Sequence, residues 1–132
     1  MSSINERMDL IEESIRKLKD EKVNQDDFYH FQGLKHTLQE AVEASIDISS
    51  QIISRNGWGR EESYSDYFQT LGKNNVIEKQ LVERLKQMAK FRNLVVHRYM
   101  EVDEEELQKI IDEDLNDLLE FVEQIEEYRN KE

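Results

Sequence analysis

Hydrophobic positions recur every three or four residues in five successive stretches of this chain, separated by short polar segments. Such a period places the apolar side chains on one face of an α-helix. In the first stretch, Ser3 and Glu6 have the spacing of an N-terminal capping box, and the helix is predicted to run to about Val23. Its inward positions are Met8, Ile11, Ile15 and Leu18.

A second, longer stripe predicts a helix of roughly eight turns. Asn24 is the expected N-cap, with Asp26 and Asp27 in the first turn, where the helix dipole favours negative charge. Gly57 is the expected stop. The inward stripe comprises Phe31, Leu34, Leu38, Ala41, Ser45, Ile48 and Ile52. Its alternating steps of three and four are typical of helices packed in a bundle.

The rest of the chain predicts three more helices. Residues 57–62 mix glycine, tryptophan and charge without a period and are expected to form a loop. A short helix is predicted over 63–71, ending at Gly72, and a longer one over 78–99. Asp103 and the glutamates after it should cap the last helix, whose inward positions are Leu107, Ile110, Leu118, Phe121, Ile125 and Tyr128. The predicted fold class is all-α, a bundle of about five helices forming one domain over residues 1–132.

Composition limits the covalent links, the ligands and the cellular location that we expect for this bundle. The chain has no proline, which allows long helices, and no cysteine, which removes disulfides and thiolate ligands. No apolar run approaches the ~20 residues needed to cross a bilayer. The acidic, amphipathic start does not resemble a secretory signal. We therefore expect a soluble, cytoplasmic protein that does not associate with membranes.

Charge is distributed unevenly along the chain. The net charge is -12, yet residues 73–98 hold seven Lys or Arg against two Glu, a local +5 that leaves -17 elsewhere. A protein that coats its whole surface with nucleic acid is excluded, because phosphate binding needs a positive patch. The basic segment is either such a patch or a helix with solvated lysines. Lys90 and Arg98 are the candidates for contact with an RNA backbone, ordinary surface charge being the alternative.

The predicted fourth helix carries a charged residue on its apolar seam. The seam comprises Leu81, Leu85, Met88, Arg92, Val95 and Tyr99. Burying an unpaired guanidinium is costly, so Arg92 should pair with a carboxylate of the second helix, open into a cleft or meet a partner subunit. Asn93 and His97 are four residues apart and share an adjacent face. We expect these polar groups and Tyr99 to converge on one quadrant of the helix.

Two acids of the second helix, Glu43 and Asp47, also lie four residues apart on one face. They form either a solvated row or a support that pairs with Arg92 and steers its rotamer. His36 and Glu40 have the spacing of helical metal ligands, but no third ligand is evident. We therefore expect no metal site. No cofactor is expected either, since the chain lacks phosphate-loop, dinucleotide-binding and nucleophile-elbow motifs.

The stretch from Phe91 to Tyr99 reads FRNLVVHRY and resembles the R-N-x-x-x-H-x-Y signature of the HEPN superfamily, in the form found in HepT toxins. Residues 43–48, 63–68, 71–77 and 99–103 are also similar to that family's pattern. The resemblance covers roughly residues 30–125. It implies a HEPN-type bundle and a two-fold homodimer that brings both copies of Arg92 and His97 into one cleft.

The resemblance also implies an activity, that of a metal-independent endoribonuclease toxin of a toxin–antitoxin pair. In RNA the 2′-hydroxyl attacks the adjacent phosphorus when a base removes its proton and an acid protonates the leaving oxygen. His97 is the expected acid or base, Arg92 would bind the phosphate, and Asn93 would orient the phosphate or His97. Tyr99 would be the hydroxyl that an MNT-type nucleotidyltransferase antitoxin modifies with AMP, which blocks the site by bulk and negative charge.

Two other interpretations stay open. One is a non-catalytic HEPN module that binds a nucleotide and assists a nucleotidyltransferase. The other is a structural helical dimer in which Arg92 and Tyr99 only form interface hydrogen bonds. The RNA target is not predictable, because an arginine–histidine pair carries no base readout.

Overall fold

The computed structural model describes residues 3–59, 61, 63–98 and 101–131. Its helices are α1 (Ile4–Leu18), α2 (Phe28–Asn56), α3 (Tyr64–Lys73), α4 (Lys79–His97), α5 (Glu104–Lys109) and α6 (Leu115–Asn130). A π-helical turn, Ile110–Asp114, joins α5 to α6 without a break. With that run counted as one rod, the described part of the chain forms five helical rods, and the predicted all-α bundle is confirmed.

α1 and α2 form the long hairpin on which the bundle is built. Ser3 caps α1 as predicted, its hydroxyl accepting a first-turn backbone hydrogen bond at 3.1 Å. The helix ends at Leu18 and does not continue to Val23. The backbone leaves the helical region at Lys19, whose ψ is 134°, and Asp20 follows with a left-handed φ of 66°. Val23 is buried in the connection, where its N–H donates to the Gln108 side chain at 2.8 Å.

The start of α2 lies later in the chain than predicted. Asp27 is the N-cap, its carboxylate accepting a first-turn N–H at 3.3 Å, so Asp26 and Asp27 precede the helix. Asn24 instead accepts the N–H two residues on at 3.0 Å and closes a local turn. Gly57 ends the helix as predicted, with a φ of 66° that glycine adopts without strain. All seven residues of the predicted α2 stripe are buried.

Gly72 does not end α3 as predicted, since the helix continues through it to Lys73. A Cβ on Gly72 would lie 2.5 Å from Cγ2 of Val82 in α4, so only a hydrogen fits there. Asn75 takes a left-handed φ of 62° after the helix. Close packing at this glycine therefore fixes α3 against the first turns of α4.

α4 carries the seam on which Arg92 was predicted. The helix ends at His97 and not at Tyr99, because the backbone of Arg98 leaves the helical region at φ -137° and ψ 49°. His97 lies in the last turn, as expected. Four apolar seam residues are buried: Leu81, Leu85, Met88 and Val95. At the centre of the core, α3 meets α6 through Phe68 and Phe121, whose rings pack edge to face at 6.0 Å.

The last rod begins as predicted, with the Asp103 carboxylate accepting the N–H of Glu106 at 2.8 Å. The π-helical turn was not predicted, and its wider turn rotates the helix that follows. Ile111 and Leu115 are consequently buried, whereas Ile110 is only partly buried. The other predicted inward residues are buried or, for the last of them, partly buried: Leu107, Leu118, Phe121, Ile125 and Tyr128. No helix in the described ranges is long and apolar enough to cross a membrane.

Candidate active site

Arg92 turns its guanidinium from α4 toward α2. Its Nε donates to Oε1 of Glu43 at 3.0 Å, and its Nη2 lies 2.9 Å from the same oxygen. Gln39, one turn earlier on α2, donates to that oxygen at 3.1 Å. Only 15% of the Arg92 side chain is exposed, so water screens the pair less than it would at an open surface. Of the three alternatives for Arg92, the chain itself shows a pair with an α2 acid.

Tyr64 covers a face of the same guanidinium. The Cζ of Arg92 lies 4.6 Å from the centre of the Tyr64 ring, within the range of a cation–π interaction. Tyr67, one turn along α3, stacks on Tyr64 at 6.4 Å with 27° between the ring planes. These rings line a cavity of about 310 Å³, called here the α2–α3 groove. Its lining residues are Glu43, Ile46, Asp47, Ser50, Tyr64, Tyr67 and Arg92.

Asn93 and His97 stand in different relations to Arg92. The side-chain oxygen of Asn93 accepts a hydrogen bond from Nη1 of Arg92 at 3.3 Å, so these two are together. His97 is exposed at the end of α4, and no hydrogen bond or ion pair within the described ranges joins it to Arg92. Five residues apart, they lie about 140° apart around the helix axis. A single chain therefore does not bring Arg92 and His97 onto one face.

Asp47 has a different partner from Glu43. Its Oδ2 lies 2.9 Å from Nε of Arg7 in α1. The Nε–H of Arg7 is not aligned with an acceptor, so the contact is an ion pair and not a hydrogen bond. Asp47 also lines the α2–α3 groove. Of the two predicted supporting acids, Glu43 holds Arg92, and Asp47 ties α2 to α1.

The basic segment is smaller as a patch than its charge count suggests. Four of its seven basic residues form ion pairs: Arg84, Lys86, Arg92 and Arg98. Arg98 is 68% exposed and lies 3.4 Å from Glu101. Lys90 is exposed on α4 and has no ion pair with any described residue. Both candidates for contact with an RNA backbone are thus accessible to solvent.

A second charged cluster faces α6 and does not line the groove. Arg84 lies 2.8 Å from Glu120 and 3.5 Å from Asp117. Burial raises the pKa of Asp117 above its usual value; Arg84 acts in the opposite direction, and Asp114 and Glu120 add to the rise. This cluster joins α4 to α6.

Two further predictions concern Tyr99 and metal binding. Tyr99 lies outside the described residues. His36 contacts Glu40 on an exposed face of α2. Across the described ranges, no group of three or more His, Asp or Glu is placed to hold a metal ion. The cation that the structure places at the groove is the Arg92 guanidinium.

Sequence reasoning did not select Tyr64 or Tyr67 as site residues. Both belong to the 63–68 stretch, which was noted only for its family likeness. The available signal was their spacing of three residues at the start of a short helix, which puts both rings on one face. Which residues the two rings face depends on how α3 packs in the bundle. The contact at Gly72 fixes the packing of α3 against α4.

The chain matches a known protein family over most of its length. A family model described as Ribonuclease HepT-like matches residues 4–125. The chain is 34% identical over 88 residues to the mRNA nuclease HepT of Shewanella oneidensis, covering 67% of this chain and 66% of that protein. It is 28% identical over 130 residues to the tRNA nuclease HepT of Aphanizomenon flos-aquae, covering 95% of this chain and 88% of that one.

A solved structure has the same fold. It is that of a tri-AMPylated HEPN toxin of Shewanella oneidensis in complex with an MNT antitoxin, with a TM-score of 0.86 and 28% identity, covering 96% of this chain and 99% of that one. The bundle is therefore that of a HEPN domain. Within that class, this chain belongs to the HepT-like family. The resemblance stated from the sequence is confirmed.

Proposed function

We propose that this chain is a metal-independent endoribonuclease toxin of a toxin–antitoxin pair, with a site built from Arg92 and His97. The family and the relatives named as nucleases support the activity. The observation that carries the proposal is the setting of Arg92. Glu43 and Tyr64 hold one edge and one face of its guanidinium, and its Nη1 end reaches the exposed Asn93.

Arg92 is suited to bind the phosphate at which RNA is cleaved. A guanidinium offers a planar fork of N–H donors that matches phosphate oxygens. Because Glu43 occupies the Nε–Nη2 edge, the phosphate approaches the Nη1 end beside Asn93. The Asn93 amide would then donate to a phosphate oxygen or orient His97. A guanidinium already restrained by Glu43 and Tyr64 loses little freedom when the phosphate binds.

Acid and base would come from two copies of His97 in a two-fold homodimer. One His97 takes the proton of the 2′-hydroxyl while its oxygen bonds to phosphorus. The bond from phosphorus to the 5′-oxygen breaks, and the second His97 gives that oxygen a proton. Arg92 offsets the charge on the non-bridging oxygens. The products are a 2′,3′-cyclic phosphate and a 5′-hydroxyl, so the atoms balance without a further reactant.

Inhibition would come from a nucleotidyltransferase antitoxin. The similar toxin of Shewanella oneidensis was solved AMPylated and with an MNT antitoxin, which supports a partner of that kind here. In this chain the acceptor would be the Tyr99 hydroxyl, two residues beyond the end of α4. Transfer of AMP from ATP releases pyrophosphate and leaves a negative charge beside the phosphate site. Lys90 and Arg98, both exposed, would contact the RNA backbone.

The alternative is a non-catalytic module that binds a nucleotide. It is favoured by one observation: within a single chain, Glu43 already occupies an edge of Arg92, and His97 lies on another face. Such a module would bind phosphate at Arg92 without cleaving RNA.

The purified chain is expected to cleave RNA in excess chelator and to leave 2′,3′-cyclic phosphate ends, identified by mass spectrometry. His97→Ala and Arg92→Ala should each lower the cleavage rate by about 100-fold or more. Their helical circular dichroism should stay at the level of the wild type. As matched controls, His36→Ala and Arg16→Ala remove the same residue types from exposed positions outside the site and should cleave normally.

Full cleavage by the His97 or Arg92 variant would remove the mechanism. A wild-type protein that binds nucleotide but does not cleave RNA would favour the module. Sedimentation analysis of the same samples should show a dimer, and an active monomer would contradict the two-histidine scheme.

A further inference from the structure

We infer that the α2–α3 groove binds one unpaired nucleotide of the RNA, with its phosphate at Arg92 and its base stacked on Tyr67. The inference rests on the proposed function only for the identity of the ligand as RNA. Its geometry comes from the groove itself, of which the cleavage mechanism uses only Arg92 and the two side chains that restrain it, Glu43 and Tyr64.

A second cavity lies beside the groove. It has a volume of about 380 Å³, shares Ser50 and Tyr67 with the groove and reaches Gly57 and Gly59. The two cavities lie side by side along α2, with Arg92 at one end and the loop after the helix at the other, and are together called the trough. Rings of Tyr64 and Tyr67 line one side of this trough. Aromatic side walls of this kind are the surfaces on which splayed-out RNA bases stack.

Charge decides which part of a nucleotide the trough can hold. Three carboxylates line it and each contacts a described cation or hydroxyl: Glu43, Asp47 and Glu61. The trough is therefore close to neutral or slightly acidic, and a row of phosphates along it would be repelled. A single phosphate is favoured only at the Arg92 end. The remaining length suits an uncharged base, whose amino groups can donate to carboxylate oxygens.

The two tyrosines have different roles in this arrangement. Tyr64 contacts the Arg92 guanidinium, so one of its faces is already occupied. Tyr67 contacts Tyr64 and lines both cavities, and no cation–π contact joins it to Arg92 among the described residues. Tyr67 is therefore the ring on which the base stacks, and Tyr64 positions the phosphate-binding cation.

Binding to protein that carries His97→Ala tests the inference without turnover. Fluorescence anisotropy gives the Kd of a short labelled oligocytidylate and of an abasic ribose-phosphate oligomer of the same length and charge. Adding Tyr67→Leu should weaken binding of oligocytidylate about tenfold and leave the abasic oligomer unchanged. Tyr67→Phe keeps the ring and should bind as the parent does. Tyr29→Leu, at an 85% exposed tyrosine outside the trough, is the matched control.

A second variant guards against misfolding of Tyr67→Leu. Ser50→Trp fills the trough from α2 without removing a tyrosine and should have the same selective effect. The inference is overturned if both variants weaken the two oligomers equally, if neither weakens oligocytidylate, or if the parent does not prefer the base-bearing oligomer. If Tyr67→Leu and Ser50→Trp lose binding selectively in the His97→Ala background while the wild type fails to cleave RNA, the nuclease proposal is removed and the inference stands.

Discussion

Two arginines of α4, Arg84 and Arg92, each meet carboxylates of a neighbouring helix, yet their surroundings differ. Arg84 is 45% exposed and lies between two acids of α6, with Glu120 at 2.8 Å and Asp117 at 3.5 Å. Arg92 is 15% exposed and meets one acid, Glu43, through two of its nitrogens. Arg84 therefore faces more negative charge than it carries, whereas Arg92 is paired along only one edge of its guanidinium.

The difference separates a structural contact from a binding site. An exposed pair such as that of Arg84 and Glu120 contributes about 0 to 1 kcal/mol to the free energy of unfolding. With a second acid present, Arg84 has no excess positive charge to attract an anion. Arg92 is restrained by Glu43 and Tyr64, and its Nη1 end stays available beside Asn93. What surrounds the guanidinium, and not the residue type, makes the second position the candidate site.

The largest contrast is expected from changing each arginine to lysine. Lysine keeps the charge but lacks the planar fork and the flat face that stacks on an aromatic ring. Arg92→Lys should lower kcat/KM for RNA by about 100-fold, whereas Arg84→Lys should change it by less than about twofold. Initial rates on one RNA substrate measure both. A loss of kcat/KM in Arg92→Lys as small as that in Arg84→Lys would show that Arg92 acts only as a charge.

A smaller effect is expected from neutralising the acid beside each arginine. Glu43→Gln removes the charge that restrains Arg92, and we expect kcat to fall about tenfold while KM stays the same or falls. KM should not rise, because the acid that competes with the phosphate has also been neutralised. Glu120→Gln is the matched control and should leave both constants unchanged. A Glu43→Gln variant with a raised KM and normal kcat would contradict a positioning role.

The smallest effect concerns the stability of the Arg84 cluster. Because burial raises the pKa of Asp117, the folded protein holds this proton more tightly than the unfolded chain does. The contribution of Asp117 to the free energy of unfolding therefore increases as pH falls from the raised pKa in the folded protein toward the usual pKa. This contribution is lost as pH rises through the same window. Asp117→Asn lacks this stabilisation on acidification, so its Tm at about pH 4, relative to its Tm at about pH 6, should be about 2 °C lower than in the wild type.

Asp114 is expected to keep part of that pH dependence in the variant, since burial and Glu113 raise its pKa as well. Asp9→Asn, at an exposed position of α1, is the control in the same thermal melts. An identical pH profile for the wild type and Asp117→Asn would show that this carboxyl gains no proton affinity on folding.

The helices and most inward positions were predictable, because period and burial are both local consequences of an amphipathic pattern. Helix ends were harder, since several capping residues stand close together. Asn24 and Asp27 can both cap, and the choice follows from the distant Gln108 side chain, which binds the connection at Val23. The π-helical turn was missed because its apolar pair, Ile110 and Ile111, fits either helical register.

The candidate site was predictable only in part, because contacts between residues that are distant in the sequence determine it. An acid of α2 could be expected near Arg92, but the choice of Glu43 over Asp47 depends on Arg7, which pairs with Asp47 from α1. Tyr64 was not predicted, because its contact with Arg92 depends on how a short helix docks. The role of His97 stays a prediction, since the neighbour that it needs would come from a second copy of the chain in the proposed homodimer.

A missing methyl group governs how closely α3 approaches α4, and with it the position of the tyrosines that line the trough. Gly72 lets α3 approach α4 until Val82 would touch any added carbon, and Tyr64 stands at the other end of that same helix. The distance between the tyrosine rings of α3 and the Arg92 guanidinium thus depends on a residue that has no polar chemistry and does not line the groove. A larger residue at position 72 would push α3 away from α4 and would shift both the proposed base-stacking surface and the ring that restrains Arg92.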